Sequence, residues 1–304
     1  MKQNGNYLRE KIEQVTEKAL EKKALHPILT TYDIKQENHT PFLIRMVENL
    51  ARKDHAKKQQ KEKQKESTTF LNPFLPYDQD LFIEEISETH VAILNKYNVF
   101  NHHLLIITKE FESQEKALNV NDFSALWTIL TKIKGLGFYN SGKLSGASQP
   151  HKHLQLVPYP LVEEIDTIPL DHLILCYQNY PEIVNIKELP YQHSIVFFED
   201  INNKTNKELS TLTFTAYCQL LDKLNISIED NIPSQNYNLL ITENWMMIIP
   251  RSQEKYHSIS INSLGFAGAF LVKNKEQLDL VMNSSLLDIL ASVGIKKNCV
   301  INSE

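Results

Sequence analysis

The chain has 304 residues, of which 42% are hydrophobic, and a formal net charge of −5. This composition allows a substantial core, and the length allows one large domain or a catalytic core with a second lobe. No apolar run approaches the ~20 residues that cross a bilayer, and the N-terminus leads into a charged helical pattern instead of an apolar signal core. We therefore expect a cytoplasmic protein without a membrane partner.

The net charge limits the class of ligand, and the cysteines limit the kinds of disulfide or metal site. A negative net charge argues against general nucleic-acid binding, but it permits a polyanionic small substrate, since a site needs only a few local cations. Cys176, Cys218 and Cys299 are few, odd in number and far apart. They fit neither a disulfide framework nor a paired-cysteine zinc site.

The N-terminal third of the chain contains one predicted helix, one charged loop and three predicted strands. Apolar residues at helical spacing predict an amphipathic helix over residues 7–25. Residues 53–66 are low in apolar content and mixed in charge, which is typical of a loop or a solvated helix. Short runs rich in Ile, Leu, Val and Phe then predict strands at 81–86, 90–94 and 103–108.

The middle of the chain combines a helix, a polar turn and a strand. Helical spacing predicts a helix over residues 123–133, with Asn121 or Asp122 as its cap and Gly135-Leu-Gly137 as its stop. A polar turn follows at 141–149, and residues 151–157 read as a strand that ends at Pro158.

The second half of the chain supplies further strands and helices. Strands are predicted at 194–198, 237–242 and 246–249, and helices at about 205–225 and within 275–292. Because strands and helices mix without regular βαβ alternation, we expect an α+β fold with a mainly antiparallel sheet. We expect a catalytic region over residues 1–165, and a C-terminal region over 166–304 that completes the same fold.

Glycines concentrate immediately before a pair of histidines. Four of the eight glycines of the chain lie between residues 135 and 146. Hydrogen-bonding side chains surround them, including Asn140, Ser148 and Gln149. Glycine permits left-handed backbone and close approach to a ligand, so this turn suits a polyphosphate or a ribose. By itself the turn is equally typical of a surface connection between a helix and a strand.

The segment His-Lys-His-Leu-Gln carries the chemistry. With a period of two, His151, His153 and Gln155 lie on one face of the predicted strand, while Lys152 and Leu154 lie on the other. An imidazole is a good nucleophile near neutral pH, and an amide can donate to an oxygen where charge develops. On these residues alone three roles stay open: a nucleophile, a metal ligand or a structural pair.

Two longer stretches resemble a known family. The run from Phe138 to Pro158, which includes Ser-Gln-Pro-His-Lys-His-Leu-Gln, resembles the active-site segment of diadenosine tetraphosphate phosphorylases. These enzymes, also called ATP adenylyltransferases, form the His-x-His-x-Gln branch of the histidine-triad superfamily. The segment from Trp245 to Arg251, followed by the segment from Ser260 to Gly268, is similar to the C-terminal region of the same family. The order and spacing of these motifs extend the resemblance over nearly the whole chain.

This resemblance implies a reversible reaction in which diadenosine tetraphosphate and phosphate give ATP and ADP. It implies that His153 attacks the α-phosphorus, that the carbonyl of His151 fixes the tautomer of His153, and that Gln155 favours transfer over hydrolysis. It also implies a set of substrate contacts. These are Lys53, Asn95, Lys96, Asn140, Gly146, Ala147, Ser148, Gln149, Asn262, Ser263, Leu264 and Lys273.

The resemblance leaves three alternatives: a dinucleoside polyphosphate hydrolase, a hexose-1-phosphate uridylyltransferase, or a nucleotide-binding sensor without turnover. The uridylyltransferase usually has Pro between the histidines and often paired cysteines, whereas this chain has Lys152. We expect nucleotides and phosphate as the small-molecule partners, no protein metal site, a divalent cation such as Mg²⁺ accompanying the nucleotide, and a monomer. His102, His103, His193 and His257 lack any such context and are expected to be structural or surface residues.

Overall fold

The computed structural model describes residues 2–48, 72–180 and 183–297, so the charged segment 53–66 lies outside the described residues. Strands within these ranges are, in chain order, β1 (Thr30–Glu37), β2 (Thr40–Val47), β3 (Phe82–Glu85), β4 (His90–Leu94), β5 (Leu104–Thr108), β6 (Gly135–Asn140), β7 (His153–Pro158), β8 (Ser194–Phe197), β9 (Ile228–Glu229), β10 (Ile232–Pro233), β11 (Tyr237–Ile241), β12 (Trp245–Pro250), β13 (Lys255–Tyr256), β14 (Ile259–Ser260) and β15 (Ala269–Val272). Helices are α1 (Lys2–Glu21), α2 (Val120–Leu130), α3 (Asp171–Ile174), α4 (Asn206–Lys223), α5 (Ser263–Phe266), α6 (Lys275–Met282) and α7 (Leu286–Val293).

An eight-stranded sheet organises the molecule. Its strand order is β3-β4-β5-β7-β6-β11-β12-β8, and every neighbouring pair is antiparallel. The predicted α+β fold with a mainly antiparallel sheet is therefore confirmed. Strands from both halves of the chain share this sheet, and the two halves meet where β6 pairs with β11. The boundary near residue 165 stays a prediction.

Both faces of the sheet are covered by apolar residues, because successive side chains of a strand point to opposite faces. On one face, Leu154 and Leu156 of β7 belong to a cluster that includes residues of α1, α2 and α4. On the other face, Phe138 and Val157 belong to a cluster that includes residues of β2, β15, α6 and α7. A sheet covered on both sides fixes the register of each strand, since a slip by one residue would exchange the two faces.

The predicted helices are present, with corrected ends. The N-terminal helix begins at Lys2, before the expected residue 7. Its buried Leu8, Ile12 and Ala19 follow the helical spacing. The expected cap of α2 was wrong: Asn119 is the N-cap, and Asp122 closes the capping box from the third helical position.

A second correction concerns Gly135 and Gly137. They were expected to stop the preceding helix, but they lie in β6, which is buried along its length. A Cβ on Gly135 would lie 2.5 Å from Val157 O, and one on Gly137 would lie 3.0 Å from side-chain carbons of Leu126 and Ile241. The glycines therefore allow β6 to pack closely against β7 and α2. They do not form a turn.

The hairpin of β1 and β2 was not predicted. It pairs in register from Thr30↔Val47 to Glu37↔Thr40, and β15 adds to β2 in parallel. In the part of the chain that the structure describes, no helix is both long and apolar enough to span a bilayer.

Candidate active site

β7 presents the central histidine of the His-Lys-His-Leu-Gln segment. In the sheet, Gln155 pairs with Leu105 and His153 with Ile107 of β5. His153 and Gln155 therefore share the face opposite Leu154 and Leu156. The strand was expected to begin at residue 151, but β7 begins at His153, and His151 is joined to Ser113 by an isolated bridge.

His153 is held in one tautomer. Its Nδ1 lies 2.7 Å from His151 O, so Nδ1 carries the proton and donates it. The Nε2 lone pair is then available, and none of the described residues hydrogen-bonds it. The residue is 5% exposed, and Phe74 packs edge-on against its ring at 5.1 Å between ring centroids. Burial lowers the pKa of His153 to about 4, so the ring is neutral near pH 7.

Gln114 fastens the backbone of His153. Its Oε1 accepts from His153 N at 2.8 Å, and its Nε2 donates to Asn140 O at 2.8 Å and to His153 O at 3.3 Å. The carbonyl of Gln114 accepts from Tyr139 Oη at 2.6 Å. This one buried side chain therefore links the nucleophile candidate to the end of β6. The sequence gives no signal for Gln114, because it lies in the irregular segment before α2.

His151 is engaged through both ring nitrogens. Its Nε2 lies 2.9 Å from Thr108 O and 2.8 Å from Thr108 Oγ1, and its Nδ1 lies 2.8 Å from Asn72 Nδ2 and 3.1 Å from Asn72 Oδ1. The oxygen of Asn72 accepts from Phe74 N, so its amide nitrogen faces His151 and donates. Nε2 of His151 therefore carries the proton. With both nitrogens bonded to protein atoms, His151 offers no lone pair to a metal ion. The expectation that the histidine pair holds no metal stays a prediction.

An amide network with defined polarity lies beside β7. Ser263 N donates to Asn140 Oδ1 at 3.0 Å, and Asn238 Nδ2 donates to the same oxygen at 2.7 Å. Arg251, which can only donate, is bonded to Asn238 Oδ1. The amide nitrogen of Asn140 therefore faces away from these partners, and it donates to none of the described residues. It is available to donate to a ligand.

Arg251 lies fully buried beneath this network, with an exposure of 1%. Burial lowers its pKa to about 9. Its Nε donates to Val293 O, and its Nη1 and Nη2 donate to the carbonyls of Ile261 and Gln253. Backbone carbonyl oxygens thus satisfy the buried guanidinium of Arg251, the last residue of the family-like segment that begins at Trp245. These hydrogen bonds connect α7 to the segment before α5.

The glycine turn packs against the same network. Gly146 has a φ of 87°, the left-handed region that favours glycine. A Cβ there would lie 2.8 Å from Asn262 Cβ. The side chain of Asn262 caps α5 by accepting from Leu264 N. The structure therefore brings together five of the expected substrate contacts: Asn140, Gly146, Asn262, Ser263 and Leu264.

Other expected substrate contacts are placed less centrally. Ala147 N donates to Gly142 O within the turn, whereas Ser148 is exposed and Gln149 half-buried. Lys96 lies 3.4 Å from Asp78 across a partly exposed ion pair. Lys273 is exposed at the end of β15, and its backbone N donates to Gln277. Lys53 lies outside the described residues.

Asn95 connects to a residue that the sequence assigned no role. Its amide nitrogen lies 3.2 Å from His103 Nδ1, and His103 Nε2 lies 3.0 Å from Gln155 Oε1. His103 was expected to be a structural or surface residue, but its buried ring contacts the side chain of Gln155. The alternation of β5 could have found it, because His103 shares a face with Leu105, which pairs with Gln155. His193, in contrast, is buried away from this contact, between Tyr191 and Ile186.

Lys152 holds β7 from the opposite face. Its ammonium lies 2.7 Å from Asp122 Oδ2 and donates to Ala117 O at 3.1 Å. His90 Nε2 lies 3.1 Å from the other oxygen of Asp122. Burial opposes ionisation of Asp122, but the bonds from His90 and Lys152 outweigh burial, and the pKa of Asp122 is lowered. Lys152, the residue between the two histidines, thus holds the start of β7 against α2 on the face opposite His153.

The antiparallel sheet and this site, with a neutral imidazole, an Nε2 that no described residue bonds and oriented amides, fit a histidine-dependent nucleotidyltransferase. Comparison with known families agrees. The model of the Ap4A phosphorylase N-terminal domain matches residues 1–176, and that of the ATP adenylyltransferase C-terminal domain matches residues 187–296, where Ap4A is diadenosine tetraphosphate. The chain therefore belongs to the Ap4A phosphorylase family, and the predicted family and enzyme class are confirmed.

Individual relatives come from baker's yeast, Saccharomyces cerevisiae. The chain is 27% identical to diadenosine 5',5'''-P1,P4-tetraphosphate phosphorylase 2 over 266 residues, which cover 79% of this chain and 78% of the relative. It is 26% identical to Protein APA1 over 230 residues, covering 68% and 70% of the two chains. The crystal structure of yeast Ap4A phosphorylase Apa2 in complex with Ap4A superposes with a TM-score of 0.77 at 22% identity, covering 96% of this chain and 98% of that one.

Proposed function

We propose that this protein catalyses the reversible phosphorolysis of Ap4A to ATP and ADP through a covalent adenylyl intermediate on His153. The observation that carries the proposal is the buried, neutral His153, whose Nδ1 donates to His151 O while no described residue bonds its Nε2. Membership of the Ap4A phosphorylase family supports the substrate.

In the first step, Nε2 of His153 attacks the α-phosphorus of Ap4A. An N–P bond forms, the bond from that phosphorus to its bridging oxygen breaks, and ATP leaves with the electron pair. The imidazole becomes cationic while Nδ1 keeps its proton, and the hydrogen bond to His151 O stabilises that charge. Attack by a fixed neutral ring divides one displacement into two easier ones.

In the second step, an oxygen of phosphate attacks the same phosphorus, the N–P bond breaks, and ADP leaves. Gln155 is suited to both steps, because an amide can donate to the non-bridging oxygens but cannot act as an acid or a base at neutral pH. ATP is a stable leaving group that needs no proton. A neutral amide also gives no help in deprotonating water, which favours transfer to phosphate over hydrolysis.

For binding, we propose that the free amide nitrogen of Asn140 and the turn at Gly146–Gln149 contact the nucleotide, together with Asn262, Ser263 and Leu264. Lys53, Lys96 and Lys273 would supply positive charge to the polyphosphate. A divalent cation such as Mg²⁺ would accompany the nucleotide and neutralise its charge. The occupied nitrogens of His151 support placing this cation on the phosphates instead of the histidine pair.

The proposal is tested by incubating the protein with Ap4A in the presence and absence of phosphate and separating the nucleotides. We expect continued conversion of Ap4A to ATP and ADP only when phosphate is present, and at most one ATP per enzyme molecule when it is absent. ATP and AMP without phosphate would indicate a hydrolase, and the absence of any Ap4A consumption would favour a sensor.

The covalent step is tested with His153→Ala and a radiolabelled adenylyl group. We expect the natural protein to retain one acid-labile adenylyl group per chain after exposure to Ap4A without phosphate, and the variant to retain none. Appreciable ATP formation by His153→Ala would contradict the covalent mechanism.

We further propose that the protein acts as a cytoplasmic monomer whose only partners are nucleotides and phosphate. The free Cys176 and Cys218, both exposed, are compatible with a reducing compartment. Sedimentation velocity at several concentrations tests the monomer, and subcellular fractionation tests the location.

A further inference from the structure

We propose that His103 is a positioning residue that orients the amide of Gln155, so that the amide nitrogen faces the phosphorus held at His153. This inference rests on the proposed function of Gln155 as a donor to the transferred phosphoryl group. It assigns Asn95, His103 and Gln155 to one hydrogen-bonded relay that runs from the segment after β4 to β7.

The relay begins at a group of known polarity. Tyr97 N donates to Asn95 Oδ1 at 3.2 Å, and a backbone N–H can only donate. The carboxamide of Asn95 is therefore fixed with its nitrogen toward His103. That nitrogen lies 3.2 Å from His103 Nδ1, so Nδ1 must accept.

The ring of His103 passes this polarity on to Gln155. Burial lowers the pKa of His103 to about 4, so the ring carries a single proton near neutral pH. Because Nδ1 accepts, the proton is on Nε2, which donates to Gln155 Oε1 at 3.0 Å. Phe138 packs on this ring with centroids 5.8 Å apart and restricts its rotation.

The relay decides which end of Gln155 meets the substrate. With Oε1 bound to His103, the amide nitrogen is left as the outward group, and no described residue accepts from it. A flipped amide would direct an oxygen lone pair at the negatively charged phosphoryl oxygens and would repel them. His103 therefore converts a freely rotating amide into a directed donor before the substrate arrives.

The tautomer of His103 provides a test that needs no turnover. In a long-range ¹H–¹⁵N NMR spectrum near neutral pH, we expect the proton of His103 on Nε2. His193 is an internal reference of the opposite form, because its Nε2 accepts from Ile186 N and its Nδ1 donates to Tyr191 O. A proton on Nδ1 of His103 would overturn the relay, whether or not the protein acts on Ap4A.

Two substitutions test the effect of the relay on the reaction. His103→Gln can accept from Asn95 and donate to Gln155, whereas His103→Leu fills similar space without a donor. We measure formation of the adenylyl-enzyme from Ap4A in a single turnover. For His103→Leu we expect the maximal rate to fall about 10–100-fold, while the half-saturating concentration of Ap4A changes less than about threefold. We expect His103→Gln to remain within about threefold of the natural protein.

His193→Gln is the matched control, since it replaces an equally buried neutral histidine outside the relay. We expect its adenylylation rate to stay within about twofold of the natural rate. Equal losses in His103→Leu and His103→Gln, or a rate for His103→Leu within threefold of the natural rate, would overturn the proposal. If the natural protein forms no adenylyl-enzyme, the proposed function fails, while the tautomer measurement still decides the relay.

Discussion

His153 combines burial with a fixed tautomer, and both properties determine how its reactivity depends on pH. Desolvation disfavours the imidazolium form and holds the pKa of His153 at about 4, below the ordinary value near 6.5. The free-base form therefore predominates over the whole physiological range. The proton on Nδ1 is bound to His151 O in the free protein, so formation of the N–P bond needs no change of tautomer.

This arrangement predicts an unusual acid limb for the first half-reaction. We expect kcat/KM for adenylylation by Ap4A to stay flat from about pH 7 to about pH 5.5, and to fall as His153 is protonated near pH 4. Stopped-flow measurement of ATP release without phosphate checks this, because the internal phosphates of Ap4A stay ionised. A half-maximal rate near pH 6.5 would show an ordinary histidine and contradict the assignment.

Asn140 allows a substitution that changes only the group facing the substrate. Asn140→Asp keeps an oxygen that accepts from Ser263 N and Asn238 Nδ2, but it replaces the free donor by a negative oxygen. At about pH 8 we expect KM for Ap4A to rise roughly 10–100-fold, since a hydrogen bond to a charged group contributes about 1.5–3 kcal/mol. Steady-state kinetics measure it, with the urea midpoint as a folding control. A KM within twofold of the natural value would exclude Asn140 from binding.

At this scale the sequence offered the candidate reactive residues, which stay a prediction, but it gave no role to the residues that contact them. His151, His153 and Gln155 follow from one short motif and its alternation. Gln114 and His103 contact the motif from 39 and 52 residues away along the chain, through strand pairing and an irregular segment. No local pattern encodes such a contact, because it depends on which strands become neighbours in the sheet.

At the scale of elements, β7 is fastened from both faces. His153 and Gln155 face the site, while Lys152 reaches Asp122 in the capping box of α2. The same carboxylate therefore caps a helix and anchors the strand segment that carries the histidines. Sequence alternation placed Lys152 on the face opposite the histidines, but its partner became evident only from the packing of α2 beneath the sheet.

Removing the ammonium should be costly because it leaves a buried carboxylate without its cation. We expect Lys152→Met to lower the free energy of unfolding by about 3–5 kcal/mol, measured by urea denaturation. Lys275→Met is the control, since it breaks an exposed ion pair with Asp279 and should cost less than about 0.5 kcal/mol. The double change Lys152→Met with Asp122→Asn should recover part of the loss. Equal effects of Lys152→Met and Lys275→Met would contradict the anchoring role.

Element prediction succeeded where side chains alternate and failed where glycine serves packing. The strand at 90–94 was placed correctly because its apolar run is bounded by polar residues. β6 was missed because Gly135 and Gly137 read as a helix stop, although their lack of a Cβ serves close contact with Val157 and Leu126. A glycine that permits an unusual φ and one that permits close approach look alike in a sequence.

At the scale of the molecule, the eight-stranded sheet joins both halves of the chain around one site. Asn140 at the end of β6, His153 in β7 and Asn238 in β11 come from strands that are adjacent in the sheet. The antiparallel class was predictable from the order of elements. The strand order was not predictable. In the sheet β7 lies between β5 and β6, out of chain order, and no local sequence pattern indicates which strands become neighbours.

The buried neutral histidines couple the stability of this whole sheet to pH. The pKa values of His103 and His153 are about 4, and that of His193 is about 3, all lowered chiefly by burial. As the pH falls below about 6.5, the unfolded chain binds protons that the folded chain does not, so stability decreases until the folded pKa values are reached. The raised pKa of buried Asp171 acts in the opposite direction and offsets part of the loss at the acidic end.

We therefore expect the free energy of unfolding to fall between about pH 6.5 and about pH 4, with each such histidine contributing up to about 1.4 kcal/mol per pH unit. Urea titrations at half-unit steps of pH measure this slope. His193→Gln should reduce the slope by the contribution of one titrating histidine, because it removes a single buried imidazole outside the Asn95–His103–Gln155 relay. A free energy of unfolding that is constant across this interval would mean that these histidines gain access to solvent in the folded protein, and the low pKa of His153 would then no longer explain its reactivity.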